Sequence, residues 1–218
     1  MSAAVSRIVA LISGEGSNLQ ALIDATRNGA INAEIALVVS NRSAARGLER
    51  AQRAGIRAQH VGSAPNGDRV GYDAAIADAI DRCAPNLVVL AGFMRILGPT
   101  FLQRFSDRIL NIHPSLLPKY RGLDTHRRVL EAGDPRHGAT VHFVTAELDS
   151  GPRVLQYRLA VRPLDTVESL TERVHAGEHV ILPRAVAWFV DGRLRLTDGE
   201  VMLDGRRLRE PVVVEEGA

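Results

Sequence analysis

The chain carries an amide and an imidazole two residues apart at the end of an apolar run. Asn111 and His113 stand in the segment NIHPSLLP, directly after Leu110. Side chains at positions i and i+2 of an extended strand point to the same face, so both are expected to project from the strand's carboxyl end. Open α/β sheets bind ligands at that edge.

An amide beside an imidazole can assist the transfer of an acyl or formyl group. The amide N–H stabilises a developing oxyanion, and the imidazole moves a proton near neutral pH. The same pair also fits another interpretation, in which the amide caps a loop and the histidine is a buried, hydrogen-bonded residue. The spacing alone does not decide between them.

A carboxylate partner for His113 is available at Asp149. This residue lies in the segment ELDSGP, between two predicted strands. Asp-Ser-Gly is also a common turn, which explains the loop without catalysis. If the carboxylate lies beside His113, it favours the imidazolium, the acid form that stabilises a tetrahedral oxyanion. Asn111, His113 and Asp149 would then act as one catalytic set.

A glycine-containing turn follows the first predicted strand. Residues 13–19 read SGEGSNL and open a helix, whose N-terminal N–H groups and dipole favour an anion. Leu19 stands where the third glycine of a dinucleotide fingerprint belongs, and the lysine of a triphosphate loop is missing. The segment favours the single phosphate of a small substrate, with an ordinary strand-to-helix turn as the alternative.

Residues 175–179 read HAGEH, the H-x-x-E-H spacing of some zinc peptidases. A catalytic zinc needs a third protein ligand, and no further segment stands out to supply one. Gly177 also weakens the helix at this point. We therefore expect no metal, and interpret the segment as a polar helix face turned toward a ligand or toward solvent.

Apolar runs alternate with helical patterns along the first two thirds of the chain. Their continuous hydrophobicity is typical of strands covered on both faces. The predicted fold class is α/β, with a doubly wound, mostly parallel, Rossmann-like sheet and an antiparallel C-terminal part. Strands are predicted at residues 8–12, 35–39, 57–61, 87–90, 109–112, 140–144, 154–159, 193–196 and 201–203. Helices are predicted at 19–27, 44–54 and 71–83, and a long helix runs from a capping box at Asp165 and Glu168 to about 189. A turn is predicted at Asp204-Gly205, and the residues from 215 on are expected to fray.

The composition limits the classes of protein that fit. At 218 residues, 45% of them hydrophobic, the chain can bury one substantial core, so 1–218 is expected to form a single domain. A net charge of +2 and 4% aromatic residues argue against nucleic-acid binding. One cysteine, Cys83, and no apolar run of membrane-spanning length indicate a cytoplasmic protein. The oligomeric state stays open, and a homodimer is compatible with the sequence.

Taken together, the motifs resemble those of the phosphoribosylglycinamide formyltransferases, the folate-dependent formyl transferases of purine biosynthesis. The likeness covers nearly the whole chain and rests on segments in a fixed order, at residues 12–20, 90–97, 111–120 and 137–144 and in the Asp149 loop. Two positions depart from the pattern: His175, where glutamine is common, and Asp124, where histidine is common.

The resemblance implies a formyltransferase fold and transfer of the formyl group of 10-formyltetrahydrofolate to the amine of glycinamide ribonucleotide. The reaction it implies is a direct attack through a tetrahedral intermediate, without a metal, with phosphate bound in the N-terminal half and folate binding and catalysis in the C-terminal half. By this resemblance, Asn111 and His113 stabilise the oxyanion, and Asp149 takes part in a water-mediated proton relay. The phosphate is expected at Gly16, Ser17 and Asn18, and the ribose or glycinamide end at Glu178. The resemblance also implies a cis peptide at Leu117-Pro118 and places the folate at Arg69, Met94, Arg95, Ile96, Leu97 and Asn111.

Other functions are compatible with the same motifs. A methionyl-tRNA formyltransferase or a formyltetrahydrofolate deformylase would use the same donor, but each is expected to carry an additional domain, and the length of the chain argues against both. A non-catalytic nucleotide-binding module on this fold is the alternative of another class. Loss of activity on mutation of the Asn-His-Asp set would distinguish an enzyme from such a module.

Overall fold

The computed structural model describes residues 5–62 and 68–217. Helices and strands alternate along most of this range. In chain order they are β1 (Ser6–Ile12), α1 (Ser17–Arg27), β2 (Ala33–Ser40), α2 (Arg46–Arg53), β3 (Ala58–His60), α3 (Arg69–Asp81), β4 (Leu87–Leu90), α4 (Pro99–Arg104), β5 (Ile109–His113), α5 (Thr125–Ala132), β6 (Arg136–Phe143), β7 (Arg153–Ala160), α6 (Val167–Val190), β8 (Leu194–Thr197), β9 (Glu200–Leu203), β10 (Arg206–Arg207) and β11 (Val212–Glu215).

Eight strands form the central sheet, in the order β11-β7-β6-β5-β4-β1-β2-β3. The five strands from β5 to β3 in that order run parallel, so their carboxyl ends meet at one edge. β6 is antiparallel to β5 and β7, and β11 is parallel to β7. A separate antiparallel sheet, β10-β9-β8, follows α6. The predicted fold class is confirmed.

Helices cover both faces of the sheet, as the continuous hydrophobicity of its strands predicts. In β1, Ile8, Ala10 and Ile12 pack into the core on the side of α1 and α6. Val9 and Leu11 point the other way, into the core beneath α3 and α4. Both sets are fully buried, which explains why β1 shows no alternation of apolar and polar residues.

Two helices, α4 and α5, and two strands, β10 and β11, were missed from the sequence. α4 has six residues and α5 has eight, too few to display a clear apolar repeat. The residues from 215 on were predicted to fray; this was wrong for Glu215 and Glu216, and Ala218 lies outside the described residues. Val212–Glu215 adds β11 to the edge of the sheet beside β7, and Glu216 forms an ion pair with Arg173 of α6 at 2.7 Å.

The predicted capping box of the long helix was also wrong by one residue. Thr166 and Ser169 form the box at the start of α6, each side chain accepting the other's backbone N–H. Asp165 instead accepts the backbone N–H of Arg162 and pairs with Arg173. None of the helices in the described ranges has the length and hydropathy of a membrane-spanning helix.

Candidate active site

Asn111 and His113 lie at alternate positions of β5, close to the middle of the sheet. They share one face of the strand at its carboxyl end, because the strand geometry repeats every two residues. His113 is buried, while Asn111 is partly exposed. The chain then turns through a cis peptide between Leu117 and Pro118.

Asp149 reaches His113 from the loop between β6 and β7. Its Oδ2 atom lies 3.4 Å from Nδ1 of His113, and the two side chains are 9% and 7% exposed. The same oxygen accepts the backbone N–H of Gly122 at 2.9 Å. The structure therefore brings together the three residues that the sequence analysis singled out for catalysis.

The imidazole of His113 is held between two acceptors. On the side opposite Asp149, its Nε2 atom lies 3.0 Å from the carbonyl oxygen of Tyr120. A ring N–H at either nitrogen thus has an oxygen to receive it, and the ring is oriented from both sides.

His142 also belongs to this site, although the sequence analysis did not assign it a role. It stands opposite Asn111 in the β5–β6 pair, with its Nε2 atom 3.1 Å from Asn111 Nδ2 and 3.9 Å from Asp149 Oδ1. Its Nδ1 atom lies 2.9 Å from the carbonyl oxygen of Phe143. Burial lowers the pKa of His142 to about 4. The neutral ring donates from Nδ1 to Phe143, so Nε2 accepts from the Asn111 amide and fixes its orientation.

The residues predicted to bind phosphate lie where β1 leads into α1. Gly16 has a φ of 75°, and a Cβ atom added to it would lie 2.6 Å from Cα of Gly47. Glycine is therefore required for this close approach of two backbones. Among the described residues, no side chain caps α1, whose first turn contains Ser17 and Asn18. Its N-terminal N–H groups are thus available to an anion.

Glu178 of α6 lies against this loop. Its Oε2 atom accepts a hydrogen bond from Nδ2 of Asn18 at 2.7 Å, and the two residues are 3% and 8% exposed. Burial raises the pKa of Glu178. Within the described residues, Oδ1 of Asn18 has no hydrogen-bond partner. The phosphate loop and the residue predicted to meet the sugar are thus neighbours.

The H-x-x-E-H segment occupies the middle of α6. The rings of His175 and His179 stack with 6.4 Å between their centroids, while Glu178 points instead to Asn18. Among residues 5–62 and 68–217 there is no group of three His, Cys, Asp or Glu side chains arranged to hold a metal ion.

The residues predicted to bind folate follow β4. Leu90 pairs with Asn111 in the sheet, so the chain leaves β4 beside the catalytic set. Met94 and Ile96 are 61% and 54% exposed, whereas Leu97 is buried. Arg69, at the start of α3, donates to the carbonyl oxygen of Ile96 at 3.4 Å. Arg69 of α3 thus contacts the segment after β4, on which Met94 and Ile96 are exposed on either side of Arg95.

A second pair of histidines lies between α5 and β6. Nδ1 of His126 is 2.9 Å from Nε2 of His137, with the rings edge to face. Burial, followed by the charges of neighbouring histidines, lowers the pKa of His126 to about 4 and that of His137 to about 3. The folded protein therefore keeps both rings neutral at pH 7.

We expect the free energy of unfolding to fall as the pH is lowered from 6.5 toward 4. The unfolded chain protonates its histidines near pH 6.5, whereas His126, His137 and His142 resist protonation in the fold. Each proton taken up only on unfolding costs at most about 1.4 kcal/mol per pH unit. Urea unfolding between pH 7.5 and 4.5 measures this slope. His137→Gln should show a shallower slope than the unmodified protein, and an equal slope would contradict the neutral pair.

Comparison with known proteins identifies the family. Residues 6–186 match the formyl transferase family. The chain is 51% identical over 201 residues to the phosphoribosylglycinamide formyltransferase of Escherichia coli (strain K12), covering 92% of this chain and 95% of that protein. The chain belongs to the phosphoribosylglycinamide formyltransferase family. The resemblance inferred from the motifs is thereby confirmed.

Solved structures of formyl transferases share the fold. The phosphoribosylglycinamide formyltransferase of Coxiella burnetii superposes with a TM-score of 0.91 at 47% identity, over 95% of this chain and 98% of that one. A formyltetrahydrofolate deformylase from Pseudomonas syringae superposes with a TM-score of 0.85 at 27% identity, over 93% of this chain and 67% of that one. The fold is common to both kinds of enzyme, while the sequence is more similar to the first.

Proposed function

We propose that this formyl transferase moves the formyl group of 10-formyltetrahydrofolate to the amine of glycinamide ribonucleotide, a step of purine biosynthesis. The observation that carries the proposal is the contact of Asp149 with His113, two residues from Asn111. It occurs in a chain 51% identical to a phosphoribosylglycinamide formyltransferase over nearly the full length of both. An amide and an imidazole in one site, with a carboxylate beside the imidazole, can stabilise an oxyanion and move a proton, which a direct formyl transfer uses.

The start of α1 would bind the phosphate of the ribonucleotide. Backbone N–H groups at Gly16, Ser17 and Asn18, with the helix dipole, favour a negative charge at this point. Glu178, hydrogen-bonded to Asn18, lies where it would accept from a ribose hydroxyl or from the glycinamide end. This subsite draws on both halves of the chain, because α6 packs directly beside α1.

The surface after β4 would bind the formyl donor. Met94 and Ile96 expose apolar side chains that suit a flat heterocycle. Arg69, at the start of α3, and Arg95, after β4, carry guanidinium groups that suit the donor's carboxylates. The donor supplies the formyl carbon, which this placement would bring next to Asn111.

The catalytic set would act on the charges that develop during transfer. Asn111 uses one amide hydrogen to bind His142, and its second hydrogen is free to bind the formyl oxygen, which becomes negative as the amine attacks. His113 stabilises the same oxygen. Asp149 holds His113 and assists, through a water molecule, the passage of the amine's proton to the departing folate nitrogen. These steps use side chains and water and need no metal.

The proposal places the whole site in one chain. A homodimer is compatible with this placement. We also assign the protein to the cytoplasm, which its single cysteine supports.

Absorbance of the donor, or of its dideaza analogue, tests the proposal directly. Purified protein treated with a chelator should release the deformylated product only when glycinamide ribonucleotide is added. Release with the folate alone would favour a deformylase instead. No release under either condition would contradict formyl transfer to this acceptor.

A further inference from the structure

The segment that carries the proposed donor-binding residues rests on the first turns of α3. Asp73 accepts the backbone N–H of Gly98 through Oδ2 at 2.7 Å. The guanidinium carbon of Arg95 lies 3.7 Å from the centre of the Tyr72 ring. Two consecutive side chains of one helix therefore contact two points of residues 95–98.

The Asp73 contact is close and enclosed. The residue is 5% exposed, and a Cβ atom added to Gly98 would lie only 2.5 Å from Asp73 Oδ2. The second oxygen, Oδ1, is buried without a hydrogen-bond partner in the described part of the chain. A carboxylate this deeply buried is costly in free energy, and its hydrogen bond is made to the backbone of the donor segment.

The Tyr72 contact is also buried. Tyr72 is 1% exposed, and its hydroxyl group is also buried without a partner among the described residues. Its ring face supports Arg95, an arrangement in which cation and ring attract each other. What Tyr72 contributes to the segment is thus the ring and not the hydroxyl group.

The other end of the segment is attached to Ser13, the residue that follows β1. The backbone N–H of Met94 donates to Oγ of Ser13 at 2.7 Å, and that hydroxyl donates to Asn41 at 2.6 Å. Between these two attachments the exposed side chains of Met94 and Ile96 point outward. The backbone that presents them is held at both ends.

We propose that Tyr72 and Asp73 are positioning residues for the formyl donor. Without touching it, they hold residues 95–98 in the shape that presents Met94, Arg95 and Ile96 to the donor. A site held in its bound shape binds with a smaller loss of conformational freedom. This inference rests on the proposed function, because it takes the segment to be the donor site.

Asp73→Ala tests the first contact by steady-state kinetics. We expect the KM for the formyl donor to rise about tenfold, which corresponds to the loss of one hydrogen bond to a buried N–H. The KM for the ribonucleotide and kcat should stay within about threefold. Asp73→Asn keeps an acceptor oxygen and should restore most of the donor KM. Asp78→Asn is the matched control on the same helix, because Asp78 is exposed and bonds Arg104 instead.

A pair of substitutions at Tyr72 tests the second contact. Tyr72→Phe keeps the ring beneath Arg95 and should behave as the unmodified protein. Tyr72→Leu removes the aromatic face and should raise the donor KM severalfold. Thermal unfolding shows whether Asp73→Ala folds. If it does not, the two Tyr72 variants and Asp73→Asn test the positioning role without it.

The outcomes separate this inference from the proposed function. An equal rise of both KM values, a fall in kcat at unchanged donor KM, or the same loss in Asp73→Asn and Asp73→Ala would overturn the positioning role. Calorimetric titration with 10-formyl-5,8-dideazafolate adds a readout that needs no turnover. If the unmodified protein binds this analogue without transferring to the ribonucleotide, the proposed acceptor is wrong, and the variants' affinities still test positioning. If the unmodified protein binds no analogue, both proposals fail.

Discussion

His113→Ala is expected to lower kcat by about 10²- to 10³-fold, the usual effect of removing one group that stabilises an oxyanion, with both KM values little changed. The ring is buried and held between Asp149 and the carbonyl oxygen of Tyr120, so its place in the fold is defined before substrate arrives. Asp149→Asn should also lower kcat. The amide can still accept the N–H of Gly122, but it no longer presents a charge to His113.

Steady-state kinetics with both substrates, together with thermal unfolding, checks this prediction. Glu147→Gln is the matched control, since Glu147 lies in the same loop but is exposed and pairs with Arg121. That substitution should leave kcat unchanged. A near-normal kcat in Asp149→Asn would remove the carboxylate from the mechanism.

Asn111→Ala is expected to lower kcat by about 10²- to 10³-fold, the effect typical of losing one oxyanion donor. The expectation depends on the contact with His142. Its neutral ring accepts a hydrogen bond from one hydrogen of the Asn111 amide, and the other hydrogen is left to bind the oxyanion. Asn111→Asp should be at least as damaging, because it places a carboxylate oxygen where negative charge develops.

An amide at the opposite edge of the sheet serves as the control for Asn111. Asn86 directly precedes β4 and accepts the backbone N–H of Arg7 at 2.8 Å. Asn86→Ala should cost some stability and leave kcat intact. If Asn111→Ala instead raises KM with kcat unchanged, the amide binds the ground state and does not stabilise the transition state.

Local patterns were enough to predict much of the architecture. The buried run of β1 and the apolar residues of β4 predicted strands covered on both faces, because strand periodicity depends only on neighbours in the chain. The common face of Asn111 and His113 followed from the same periodicity. The glycine turn before α1 was likewise visible, since Gly16 adopts a backbone conformation that other residues rarely take.

Weak local signals explain the errors. α4 and α5 are too short for an apolar repeat to stand out, and β11 is a four-residue strand at the sheet edge. Its position depends on pairing with β7 and on the ion pair of Glu216 with Arg173, neither of which leaves a pattern in the C-terminal sequence. The displaced capping box shows that two adjacent polar residues can compete for one helix start.

The sequence by itself determined the fold class, the family and the residue types available for chemistry, because strand and helix periodicity and motif order are properties of the chain. Only the tertiary structure decided which of these residues meet. The register of β5 with β6 places His142 opposite Asn111, and the β6–β7 loop brings Asp149 into contact with His113. The packing of α6 on α1 joins Glu178 to Asn18. Such contacts join residues far apart in the chain, and they depend on register and packing, which no local pattern records.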